Sequence, residues 1–169
     1  MKSAIRNAIV TLLLSAATVA FAQGQIFGVA SVIDGDTIEI HGERIRLFGI
    51  DAPESRQECR HPDGSSWRCG QQAALALQDY IGRRLLTCEQ RDVDPYHRTV
   101  AQCRVADDDI SAWLVASGWA VAFTRYSHDY VEQEQQARAA RRGIWSGDFI
   151  MPWDWRRGRR PDASTYKPH

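Results

Sequence analysis

Two stretches rich in Val and Ile, residues 26–40 and 43–50, are cut into short pieces by turn residues such as Asp34-Gly35. A chain punctuated in this way builds its core from short twisted strands. Alternation in the second stretch sets Ile45 and Leu47 on one side and Arg44, Arg46 and Phe48 on the other. Pro53 cannot donate to a ladder, so Asp51-Ala52-Pro53-Glu54 must leave the sheet.

The remaining elements follow from periodicity and stop signals. Ala73, Ala74, Leu77 and Ile81 recur at helical spacing, which predicts a helix over 70–81 closed by Gly82. Residues 85–91 and 99–105 read as a hairpin. Asp109 is placed to cap a short helix over 110–117, which Gly118 ends. Asp107 to Asp109 read as a solvated turn. A short strand over 120–123 precedes a longer helix, 128–142, capped by Ser127 and stopped by Gly143. Its Tyr130, Glu134, Ala137 and Arg141 mix polar and small side chains, the pattern of a surface helix. Strands, a helix, a hairpin and two further helices make an α+β chain. The order suggests a small five-stranded Greek-key barrel of the OB type with three α-helices.

Three segments are expected. Lys2 and Arg6, an apolar run and Ala20-Phe21-Ala22 make residues 1–22 a removable export leader. Residues 23–145 form the folded domain, and 146–169 form a tail rich in Trp and Arg. The expected location is therefore the periplasm or the medium; a membrane anchor is the competing reading of the leader. The chain balances 21 Lys and Arg against 21 Asp and Glu, and loss of Lys2 and Arg6 leaves a formal net charge of −2. Gross charge therefore does not announce a nucleic-acid binder. The run Arg156, Arg157, Arg159, Arg160 beside Trp153 and Trp155 reads either as a nucleic-acid footprint or as a packed tail with a solvated basic end.

The four cysteines, Cys59, Cys69, Cys88 and Cys103, allow three pairings. An even count in an exported chain points to two disulfides. A turn centred between Pro95 and Tyr96 sets Cys88 opposite Cys103, which leaves Cys59 to pair with Cys69 across a loop. A zinc site of Cys59, His61 and Cys69 is the alternative, with a spacing that matches no common zinc pattern.

The chemistry gathers in three blocks: Val32-Ile33-Asp34-Gly35-Asp36-Thr37, Arg46-Leu47-Phe48-Gly49-Ile50-Asp51-Ala52-Pro53-Glu54, and Asp94-Pro95-Tyr96-His97-Arg98. Asp36 and Asp51 each follow an apolar strand. Brought together, they make a hard oxygen site suited to Ca²⁺. Arg46 and Asp51 stand five residues apart, so strict alternation puts them on opposite faces, and they share a site only if the strand bends between them. Arginines and a cation can neutralise charge on a phosphate, and a glutamate can orient or deprotonate water.

The three blocks, in this order, resemble those of the staphylococcal (micrococcal) nuclease, or thermonuclease, family. The resemblance covers about residues 29–145, including the ending Arg141-Arg142-Gly143-Ile144-Trp145. It implies an OB-type barrel and Ca²⁺-dependent hydrolysis of DNA and RNA that leaves 3′-phosphate ends. Matched motif by motif, it implies that Arg46, Glu54 and Arg98 are catalytic. Asp36 and Asp51 would hold Ca²⁺ with the Ala52 carbonyl, and Asp34 would stand in an outer shell. Ala52 departs from the threonine often found there, and Pro95 and His97 depart from lysine and glycine of the best-known member. The resemblance implies nucleic-acid substrates and no stable membrane association, and no protein partner is implied. A monomer is expected. The alternative function is a non-catalytic OB-fold module that binds single-stranded nucleic acid.

Overall fold

A computed structural model describes residues 24–160. The expected leader, residues 1–22, lies outside the described residues, as does the tail beyond residue 160. The elements run β1 (Gln25–Val29), β2 (Ser31–Val32), β3 (Thr37–Ile40), β4 (Glu43–Leu47), β5 (Ile50–Asp51), β6 (Cys59–Arg60), β7 (Ser66–Trp67) and α1 (Cys69–Ile81). They continue as β8 (Leu85–Val93), β9 (Thr99–Val105), β10 (Asp108–Asp109), α2 (Ile110–Ala116), β11 (Val121–Ala122), α3 (Val131–Ala139) and α4 (Pro152–Arg156).

The main sheet is mixed, with order β1-β8-β9-β4-β3-β2 and β10 on the far part of β9. It curls as a half-barrel of the OB type. Antiparallel pairing joins β3 to β4, while β4 lies parallel to β9. Alternation in β4 buries Ile45 and Leu47 in the core, as the pattern predicts. They pack with Ile38, Ile40, Leu86 and Val105 from neighbouring strands and with Leu77, Ile81, Ile110 and Leu114 from α1 and α2. Each fully buried Leu or Ile contributes roughly 1.5–3 kcal/mol by removal from water.

Cys88 faces Cys103 across β8 and β9, and the two are bonded. Cys59 is bonded to Cys69. The second bond removes both thiolates from the zinc alternative, so that reading falls.

Several boundaries differ from expectation. The predicted 128–142 helix begins only at Val131. The Ser127 hydroxyl accepts from the Asp129 backbone N–H, which makes a turn before the helix. Tyr130 is buried, and its hydroxyl donates to Asp109 Oδ2 at 3.0 Å. One edge of this surface helix is thus pinned inward. Asp109 accepts from Ala112 N as the cap of α2, as expected, while Asp108 and Asp109 pair with β9 where a turn was expected.

A fourth helix, α4, starts with Pro152, whose missing N–H costs nothing at a first-turn position. A second apolar cluster ties this end of the chain to the domain: Trp153, Trp145, Phe149 and Met151 pack around Cys59, Cys69, Val121 and Ile144. Gln57, fully buried, donates through Nε2 to the Ile150 carbonyl.

Candidate active site

Three connections bring the sequence blocks together. Thr37 pairs with Arg46 across β3 and β4, so Asp36 lies at the same sheet end as Arg46. β4 then ends at Leu47, and the chain turns through Phe48-Gly49 before β5. Gly49 adopts φ 77°, and a Cβ there would press on the Tyr130 ring. The turn is held by Phe48 N donating to the Ala101 carbonyl and by Ser111 Oγ donating to the Phe48 carbonyl. This bend is what brings Asp51 back onto the Arg46 face.

Arg46 Nη2 lies 2.9 Å from Asp51 Oδ1 and 3.2 Å from Asp36 Oδ2. The two carboxylates thus converge on one cationic nitrogen. Burial works against the Arg46 guanidinium, but Asp36 and Asp51 outweigh it and hold it charged. Asp36 Oδ2 also accepts from the Ala52 backbone N–H at 2.9 Å, which sets the Ala52 backbone against the same carboxylate. Asp34 Oδ1 accepts from Asp36 N and shapes the turn. Burial, reinforced by the charge of Asp36, pushes the Asp34 carboxyl up to about 6.

Glu54 follows Pro53 and is seated from below by α1. A Cβ at Gly70 would collide with the Glu54 carbonyl, so only glycine permits this approach. Gln57 locks the loop: its Oε1 accepts from Glu54 N, and its own N–H donates to the Glu54 carbonyl. The Cys59–Cys69 bond closes the loop directly beyond these contacts.

Arg98 precedes β9 by one residue, and Thr99 is the parallel partner of Ile45 in β4. Its Nε donates to Asp94 Oδ2 at 2.6 Å, and its guanidinium lies over the Tyr96 ring. Burial pushes the Asp94 carboxyl up, but the backbone and side-chain donors of Arg98 outweigh it, and the group titrates below its ordinary range.

Asp36, Arg46, Ala52, Glu54 and Arg98 all line one open cavity of about 420 Å³. Asp51 does not reach the cavity wall and has no exposed surface. Burial pushes its carboxyl up against the pull of two guanidiniums, those of Arg156 and Arg46.

Arg156, from α4, is the residue the sequence reading missed. Its Nη2 donates to Asp51 Oδ2 at 2.7 Å and its Nη1 to Asp51 Oδ1 at 2.9 Å. The same Nη1 reaches Glu54 Oε1 at 2.7 Å. Of the basic run, only Arg156 touches the predicted site residues; Arg157 and Arg159 pair with Asp154 instead. Gln57 was missed as well. No local signal marks either residue, because their partners are set by the packing of α4 and residue 150 on the loop.

No group of three or more His, Cys, Asp or Glu side chains suited to a metal occurs among the described residues. A pair of convergent carboxylates beside a backbone segment is nonetheless a donor set that fits a hard cation, with the remaining positions left to water and substrate oxygens.

A family profile described as staphylococcal nuclease homologue matches residues 44–147. The chain is 44% identical over 123 residues to a protein of Rhizobium meliloti (strain 1021) named succinoglycan biosynthesis protein ExoI, covering 71% of this chain. That alignment spans 64% of the relative, so the chain covers just under two thirds of its length. It is 31% identical over 150 residues to a micrococcal nuclease of Shigella flexneri, covering 78% of this chain and 80% of that one. It is 32% identical to an uncharacterized endonuclease of Escherichia coli, covering 76% and 82%.

Proposed function

Because the chain belongs to the staphylococcal nuclease family, we propose that it is a nuclease, a Ca²⁺-dependent phosphodiesterase of low sequence specificity acting on DNA and RNA. The observation that carries this reading is the convergence of Arg46, Glu54 and Arg98 on one cavity, beside the paired carboxylates of Asp36 and Asp51.

Asp36, Asp51 and the Ala52 carbonyl would hold Ca²⁺, which supplies positive charge against the scissile phosphate. Glu54 presents a half-exposed carboxylate to the cavity, positioned to accept a proton from an attacking water. Water oxygen bonds to phosphorus, and the bond from phosphorus to the 5′ oxygen breaks. The phosphate stays on the 3′ side, and the 5′ oxygen leaves as a hydroxyl after gaining a proton. Arg46 and Arg98 donate to the phosphate oxygens as charge gathers on them. Asp94 holds Arg98 at the cavity edge through Nε, which leaves its terminal nitrogens to face a phosphate.

Export completes the reading. Two disulfides belong in an oxidising compartment, in keeping with the leader expected over 1–22. The test is incubation of the disulfide-intact protein with single-stranded DNA in excess Ca²⁺ and in excess EGTA, with product ends mapped. Cutting in Ca²⁺ alone with 3′-phosphate ends is expected. Intact DNA in both, with the protein folded and the strand bound, would transfer the reading to a non-catalytic OB-fold module.

A further inference from the structure

Arg156 poses a question that the proposed chemistry does not answer. Both oxygens of Asp51 are engaged by guanidinium groups, and Arg156 supplies two of the three bonds. Asp51 has no exposed surface, whereas Arg156 is partly exposed and lines the cavity. A cation arriving from the cavity therefore meets Arg156 before it meets Asp51. The same guanidinium bonds Glu54, so one side chain holds a cation ligand and the proposed water-activating carboxylate at once. Arg156 lies between two carboxylates, 2.7 Å from Asp51 Oδ2 and 2.7 Å from Glu54 Oε1.

The arm that carries Arg156 is short. Its five-residue helix is held from below by Trp153, which packs beside Phe123 at 5.7 Å, and by the seam from Gln57 to Ile150. Arg156 is the last residue of that helix, with Arg157 as its cap and Gly158 next. The guanidinium can thus leave Asp51 by fraying the last residues of the helix beyond Trp153, with the Trp153 anchor kept.

We propose that Arg156 is a latch on the carboxylate site: a resident internal cation that a divalent ion must displace from Asp51, and whose displacement frees Glu54. The proposal rests on the reading of Asp36 and Asp51 as cation ligands. It makes the C-terminal arm a regulator of metal affinity. If the latch leaves Asp51 free about a tenth of the time, it weakens the apparent affinity about tenfold, because binding waits on the competent fraction.

Two measurements test the latch, and neither reads activity. The first is Ca²⁺ binding by calorimetry to the unaltered protein, Arg156→Gln, Arg157→Gln and Asp51→Asn. Arg156→Gln should bind about tenfold more tightly. Arg157→Gln, which changes a charge next to the latch but outside the site, should match the unaltered protein, and Asp51→Asn should lose binding. The second is hydrogen exchange on the unaltered protein, which needs no variant to fold. Ca²⁺ should lower protection over residues 152–158 while the core strands stay unchanged. Equal or weaker binding by a folded Arg156→Gln, or protection over 152–158 that holds or rises in Ca²⁺, would overturn the latch and leave the cation site standing. No Ca²⁺ binding by either the unaltered protein or Arg156→Gln would overturn the cation site and the latch together.

Discussion

At the scale of single residues, the site is a balance of buried charges in which each carboxylate has a different role. Asp51 has no exposed surface and survives as an anion only beside Arg46 and Arg156. Losing either guanidinium leaves the other in place, so the cost stays below the roughly 3–5 kcal/mol typical of a buried charge left wholly unpaired. Asp34 is different, since burial and Asp36 oppose its charge and no arginine is bonded to it. Its folded carboxyl titrates near about 6 against 3.8 for the ordinary group. The native form therefore keeps a proton that the unfolded chain has already lost, and stability falls as pH rises between about 4 and 6. Asp34→Asn, which stays neutral and can still accept from Asp36 N, should remove that decline. Thermal melts in EDTA should show the variant gaining on the order of 1–3 kcal/mol at pH 7 and little at pH 4. A gain independent of pH would contradict the assignment.

At the scale of elements, the site depends on two places where regular structure stops. One is the Phe48-Gly49 bend, which returns Asp51 to Arg46. The other is the approach of α1 to the Glu54 loop at Gly70. Gly70→Ala must push the Glu54 carbonyl or the helix start aside. It should cost about 1–3 kcal/mol in denaturant melts, the usual range for overpacking. Cleavage should fall with it, because the Glu54 loop that presents the carboxylate to the cavity is displaced. The bend was legible in outline: Arg46 and Asp51 sit at an odd spacing, so they could share a site only if the strand broke. The Cys88–Cys103 register was legible too, because a hairpin turn fixes which residues face each other. The helix over 131–139 was read too long, because Ser127 offers a cap signal that here closes a turn and because Tyr130 is drawn inward to Asp109. Arg156 was not legible at all. It stands in a run of similar arginines, and its partner Asp51 is 105 residues away. Only the packing of α4 on the second apolar cluster decides which of those arginines faces inward.

At the scale of the whole molecule, positive charge is local. The chain carries equal numbers of acidic and basic residues, so affinity for a polyanion must come from the cavity and its rim. Arg46, Arg98 and a released Arg156 give about three phosphate contacts, for which binding of a single strand should fall with a log–log salt slope near −2. A Glu54→Gln background suits the measurement. A slope much steeper than that would mean that Arg157, Arg159 and Arg160 at the exposed end also grip the strand.

The central claim is that Glu54 and Arg98 do chemistry in one cavity on a bound phosphodiester. Single-turnover cleavage of a saturating oligonucleotide by Glu54→Gln and Arg98→Ala, each shown to be folded, tests it most directly. Losses of about 10²–10⁵ in rate with each variant are predicted, the range for removing a base or a charge-stabilising donor. Near-normal rates from either folded variant would contradict the account and move the chemistry away from this cavity.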